Sequence, residues 1–214
     1  MARTPTPGAR DGILDTAGRL FYDHGVHGVG LQMVIDEYGC GKNLLYREFE
    51  GKDELVVAWL ERCHADWESR IATRTEPLAG DPAAQLVAIV ADAAETASNP
   101  QFHGCAMRNT RAEFPDAAHP AHRVADQRLG SVRDRLRDLA EQAHARDPDA
   151  LADRLMLIID GINTGGARDD GKASVGTAVA FAEEVVRAAT PTSRRKRRSH
   201  ASTPRLPGRR EHTP

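Results

Sequence analysis

The stretch VGLQMVIDEYGCGKNLLYREF, residues 29–49, decides the fold. Leu31, Val34, Ile35 and Tyr38 recur at helical spacing and define one apolar face. Gly39-Cys40-Gly41 breaks that pattern. Two glycines around one small residue suit a sharp turn, because glycine accepts positive φ without strain. A second short helix follows, with Leu45 and Phe49 one turn apart facing inward. Lys42, Asn43, Leu44, Tyr46 and Arg47 are then left on its outer face. A helix, a glycine turn and a helix with a partly basic outer face is the layout of a helix-turn-helix, whose second helix can enter a DNA major groove.

Outward from this element the chain reads as helices throughout. Ile13, Leu14, Ala17, Leu20 and Phe21 mark an amphipathic helix from about residue 10 to 24, with Gly25 as its C-terminal cap. A longer helix runs from Lys52 to about Thr73, carrying the stripe Leu55, Trp59, Cys63, Trp67. Asp81-Pro82 and Asp147-Pro148 each open a helix as N-cap and first residue. Between them lie a short broken helix around FHGCAMRNTRAEF and a long one over about 118–145, with Ala125, Leu129, Val132, Leu136, Leu139 and Ala143 as its stripe. A last helix covers about 173–189. No β-pattern occurs, so the fold class is all-α with about nine helices. The expected division is a flexible arm over 1–9, a helix-turn-helix domain over 10–51, a second helical domain over 52–190, and a tail over 191–214. That tail, PTSRRKRRSHASTPRLPGRREHTP, is too poor in apolar residues to fold, so it is expected to be disordered.

Charge is distributed unevenly. The tail carries eight Arg or Lys and one Glu, whereas residues 1–190 carry 21 basic and 30 acidic side chains. An acidic body can bind DNA only through a local patch, since its overall field opposes a polyanion. No run of about 18 apolar residues exists, so no membrane span is expected. The N-terminus MARTPTPGARDG has no apolar core of a signal peptide, and Cys40, Cys63 and Cys105 fit no disulfide framework, which points to the cytoplasm. His119 and His122 stand three apart, but no further ligand joins them at a defined spacing, so no metal is expected. No nucleophile motif, phosphate loop or paired carboxylates appear. Neither catalytic residues nor a cofactor are expected.

The segment ILDTAGRLFYDHGVHGVGLQMVIDEYGCGKNLLYREFEGKDEL resembles the N-terminal domain of TetR-family transcriptional regulators. It carries, in order, I-L-x-x-A-x-x-L-F, a glycine, the helix-turn-helix, L-Y-x-x-F and K-[DE]-x-L. HGCAMRNTRAEFPDAAHPAHRVADQ resembles one subgroup of that family, in which G-C opens the sixth helix and D-x-x-H-P leads into the seventh. The resemblance implies that Lys42, Asn43 and Leu44 open the recognition helix towards bases or phosphates. It implies that Tyr46 and Arg47 meet the groove edge and that Lys52 reaches a phosphate from the start of the fourth helix. Gly30, Gln32 and Gly41 complete the implied interface. It further implies that residues 52–190 form a helical ligand-binding and dimerisation domain, with a homodimer through the last two helices, a double-stranded DNA operator and a small apolar effector.

The sequence departs from the family pattern at Gly30 and Gly41, where hydroxyl residues are usual, at Ile35, where Ala is usual, and in the acids Glu48 and Glu50. For the effector, the candidate pocket residues are Trp67, Phe102, Cys105, Met107, Asn109 and Thr110 with Met156, Asp160 and Asn163. Aromatics dominate apolar ligand sites, Met adapts to varied shapes, and a polar group on an apolar helix face needs a partner. The reading is a DNA-binding, ligand-responsive repressor on a palindromic operator. The alternative is a helical small-molecule-binding protein whose helix-turn-helix no longer binds DNA.

Overall fold

A computed structural model describes residues 8–165 and 171–191. Among them are nine α-helices and no strand: α1 Ala9–His24, α2 Leu31–Tyr38, α3 Lys42–Glu48, α4 Lys52–Thr75, α5 Pro82–Ala97, α6 Ala106–Glu113, α7 Pro120–Gln142, α8 Pro148–Gly165 and α9 Gly171–Ala189. The expected tail over 191–214 lies outside the described residues except for Pro191, and the expected arm lies outside them up to residue 7. Gly8 and Ala9 already belong to the start of α1.

Two apolar cores organise these helices. The first gathers Ile13, Ala17 and Phe21 of α1, Val34 and Ile35 of α2, Leu45 of α3 and Phe49 around Leu55, Trp59 and Leu60 of α4. The second gathers Ile71, Leu86, Ile89, Leu136, Leu155 and Val186 from α4, α5, α7, α8 and α9. Helix α4 therefore runs from one core into the other, and α7 does the same, with Ala121 and Ala125 in the first core and Leu136 in the second. A helix that feeds two cores makes them move as one body unless the side chains between them repack.

Local chemistry sets the helix ends. The Asp81 side chain accepts a hydrogen bond from the Ala84 N–H at 3.0 Å, and Asp147 accepts one from Ala150 at 3.0 Å. Helix α7 is shorter than the spacing predicts, because His119 Nδ1 accepts from the Ala121 N–H at 3.2 Å and starts it at Pro120. Ion pairs tie α1 to its neighbours: Arg62 of α4 meets Asp11 at 2.6 Å and also meets Asp15, while Arg19 meets Glu37 of α2 at 3.0 Å.

Candidate functional site

The turn of the helix-turn-helix uses only one of its glycines for left-handed backbone. Gly39 has φ 73°, and its N–H bonds back to the Ile35 carbonyl, closing α2. Gly41 is extended at φ −79°, a conformation open to any residue, so the expected need for two permissive glycines is corrected to one. Neither Gly30 nor Gly41 caps its helix with a side chain. The first turn of α2 is closed by backbone alone, through Met33 N–H to Gly30 O at 3.0 Å.

Leu45 and Phe49 of the recognition segment are buried at 0% and 1% exposure, which fixes the opposite face towards solvent. Lys42, Asn43, Tyr46 and Arg47 lie there, with Gly30, Gln32 and Gly41 also exposed. Lys52, at the start of α4, is half-buried. Leu44 does not face outward as expected: it is half-buried and packs against the first core, so much of its surface serves packing. Lys42 Nζ lies 5.7 Å from the centre of the Tyr46 ring, which brings a cation and a phenol onto one edge of α3. Gln32 donates to Asp36 at 2.7 Å within α2.

Of the two acids beside the recognition helix, Glu48 is engaged by a neighbour and Glu50 stays exposed. Glu48 is turned in and meets Arg47 Nε at 3.2 Å, and its carbonyl accepts from Arg10. Glu54 accepts from the Glu50 N–H at 2.6 Å and from Arg10 at 3.1 Å. Those two bonds, the backbone one first, hold the Glu54 carboxyl below the ordinary carboxylate range. Arg10 also lies 4.1 Å above the Phe49 ring, so one arginine of α1 buttresses the end of α3.

A cavity of about 250 Å³ opens between α4, α5, α6, α7 and α8. Trp67, Phe102, Cys105, Met107, Met156 and Asn163 line it. Asn109 and Thr110 do not. They line a separate pocket beside Phe21 and Trp59, because α6 passes the cavity with Met107 and Arg108 and meets that second pocket with the residues beyond them. Asn109 instead donates to the His103 carbonyl at 2.9 Å and closes the loop before α6, and Thr110 is buried at 1% exposure. Asp160 is also off the wall; it forms an ion pair with Arg108, which is on it. Burial pushes the Asp160 carboxyl up despite that arginine.

The polar lining is what the sequence did not disclose. Arg70 grips Asp92 through three contacts of 2.9, 3.2 and 3.1 Å, with Asp92 at 2% exposure. Arg128 meets Glu61, and the buried ring of His64 stacks on Trp67 with centroids 5.7 Å apart. Burial drives the Cys63 thiol up to about 12. Among the described residues no group of three or more His, Cys, Asp or Glu could hold a metal ion, and no helix is long and apolar enough to cross a membrane.

The cavity touches α1 directly. Tyr22 lines it, donates to the Gly104 carbonyl at 3.1 Å and accepts from the His103 N–H at 3.0 Å. Burial pushes its phenol up, and the bond from His103 acts the other way. At the far end of α6, the Glu113 carboxylate accepts from the N–H groups of Val26 at 3.0 Å and His27 at 2.7 Å. Gly25 leaves room for it: a Cβ there would lie 3.3 Å from Glu113 Oε2, and φ is 74°. Both ends of α6 are thus tied to α1 and to the loop leading into α2.

A two-helix reading head on a helical body with an internal cavity is the architecture of a regulator that binds DNA. Comparison with known proteins gives the family. Residues 13–59 match the family described as bacterial regulatory proteins, tetR family. The crystal structure of SCO4454, a TetR-family transcriptional regulator from Streptomyces coelicolor, is 30% identical and superposes with a TM-score of 0.81, over 89% of this chain and 93% of that one. The HTH-type transcriptional regulator YjdC of Escherichia coli is 24% identical over 181 residues, 83% of this chain and 93% of that protein. The HTH-type transcriptional activator FasR of Mycolicibacterium smegmatis is 38% identical over 64 residues, 30% of this chain and 29% of that protein. The chain belongs to the TetR family and is a DNA-binding transcriptional regulator.

Proposed function

We propose that the protein is a ligand-responsive repressor that occupies a palindromic operator as a homodimer and leaves it when a small effector fills the cavity. The observation that carries this reading is the double tie of α6. One short helix supplies Met107 and Arg108 to the cavity wall and Glu113 to the loop that precedes the recognition segment. An effector bound more tightly in one arrangement of α6 than another necessarily shifts the reading head. On this reading Lys42, Asn43, Tyr46 and Arg47 enter the groove, with Gly30, Gln32, Gly41, Leu44 and Lys52 at its margin. Residues 10–51 read DNA, 52–190 hold effector and partner, and the protein works in the cytoplasm.

The proposed dimer face lies on α8 and α9. Leu157 and Phe181 are 70% and 53% exposed on two helices that pack against each other. Apolar side chains left outward on neighbouring helices suit burial against a second copy. Two recognition helices related by a dyad meet half-sites about one helical turn apart.

The test is a footprint on DNA flanking the protein's own gene, combined with transcript levels in a deletion strain. An inverted repeat protected by the protein, with higher expression of the adjacent gene in the deletion strain, supports a repressor. Lower expression there makes it an activator, as FasR is named. No protection of any genomic fragment in a selection experiment overturns the reading.

A further inference from the structure

The lining of the cavity is apolar on most sides, through Trp67, Phe102, Met107 and Ile159 among others, yet two arginines sit in that wall with donors left over. Arg108 of α6 meets Asp160 through Nη2, and Arg128 of α7 meets Glu61 through Nη2. The Nε of each is buried with no hydrogen-bond partner. A guanidinium carries five N–H groups, and one carboxylate in contact with one nitrogen leaves most of them unused. A buried donor without an acceptor is costly, and more so when it is charged. The third arginine of the wall differs, since Arg70 pairs with Asp92 through both Nε and Nη2.

Resting on the proposed role of the cavity as the effector site, we infer that its ligand is an anion: a molecule with an apolar body and one carboxylate, whose oxygens are bound by Arg108 and Arg128. The two arginines come from helices that pack together, and both line the one space. A neutral acceptor can take such an N–H bond but holds a guanidinium less strongly than a carboxylate does, and a cationic ligand adds repulsion. A carboxylate supplies planar acceptors that match the guanidinium fork. Asp160 Oδ1 pairs with Arg108 Nη2, and its burial favours the uncharged acid. The volume of about 250 Å³ lies under the roughly 300–1,000 Å³ of drug-sized pockets, which limits the apolar body to one or two rings or a short chain.

The experiment compares matched acids and amides: benzoate with benzamide, 2-naphthoate with 2-naphthamide, 4-phenylbutyrate with its amide, and decanoate with its amide. Binding to the full chain is read by quenching of tryptophan fluorescence, since Trp67 is in the wall. At least one acid is expected to bind tenfold or more tightly than its amide. In R108Q/D160N, which removes both members of a pair so that no buried charge is left alone, that preference is expected to fall at least fivefold with amide affinity unchanged. The wild-type comparison stands on its own if this variant does not fold. Equal affinity for acid and amide in every pair, or no binding by any acid, overturns the inference. Failure of the effector reading looks different: an acid binds, and affinity for the operator stays the same.

Discussion

Replacing Glu113 by Ala removes the acceptor of two backbone N–H groups 87 and 86 residues away in the chain. Hydrogen bonds to a charged group are worth about 1.5–3 kcal/mol each. The two ends of this pair are not equal. His27 is exposed and water replaces the lost carboxylate there, whereas Val26 is 1% exposed and its N–H stays without a partner. A net loss of about 2 kcal/mol follows. For a domain of this size each kcal/mol moves the melting temperature by about 2–4 °C, so E113A should melt about 4–8 °C below wild type in calorimetry. E113Q, which keeps one carbonyl oxygen, should lose about half as much. The functional consequence is sharper than the thermal one. With α6 released from the loop after α1, effector should still bind, while the effector-induced change in operator affinity shrinks. Fluorescence anisotropy with labelled operator reads both. An E113A protein that melts within about 1 °C of wild type and releases DNA normally would refute the reasoning.

Other perturbations probe separate parts of the molecule. Y46F and K52A should each weaken operator binding about five- to tenfold without altering the oligomer, and K52A should lower the salt slope by about one; unchanged binding removes them from the contact list. L157D/F181D should sediment as a monomer, and a dimer that persists at micromolar concentration places the interface elsewhere. G18A should cost about 1–3 kcal/mol in urea melts, because a Cβ at Gly18 would lie 2.7 Å from Trp59 Cδ1 in a packed core. Cys63, its thiol pushed up to about 12, should resist maleimide labelling at pH 8 in the native state. Burial favours its neutral form, so its contribution to stability is complete below the ordinary thiol value near 9 and is lost as pH rises towards 12; C63S should flatten that limb.

What was legible in the chain was whatever is encoded within one helical turn. The apolar spacing of Val34, Ile35, Leu45 and Phe49 forces the two short helices, and the caps at Asp81 and Asp147 announce themselves by a carboxylate before proline. Leu44 was misplaced because a seven-residue helix has no clean division between faces, and a leucine on the boundary takes what burial it can find. Asn109 and Thr110 were misplaced because proximity along a helix is not proximity in space: their neighbours Met107 and Arg108 already occupy the cavity face. The arginine pairs were invisible for a different reason. Arg70 and Asp92 are 22 residues apart, and Arg128 and Glu61 are 67 apart. In a chain with 29 basic and 31 acidic side chains, local pattern does not choose which of them meet.

The distance in sequence between Tyr22 and residues 103–104 is the more consequential case. Tyr22 reads in sequence as one more position on the edge of α1. In the fold it is at once a wall of the cavity and a member of α1, the helix that packs against both helices of the reading head. Phe21, its neighbour, packs at 5.5 Å on Trp59, so α1 cannot rotate without disturbing the first core. In the proposed mechanism an anion drawn to Arg108 acts at the base of α6, between two anchors: Tyr22 at its entrance and Glu113 at its end. A helix held at both ends moves as a rod, and the loop that Glu113 holds leads directly into α2. An effector needs to shift that rod by little, because two recognition helices on one dimer must match a fixed half-site spacing, and a small rotation of each changes the separation twice.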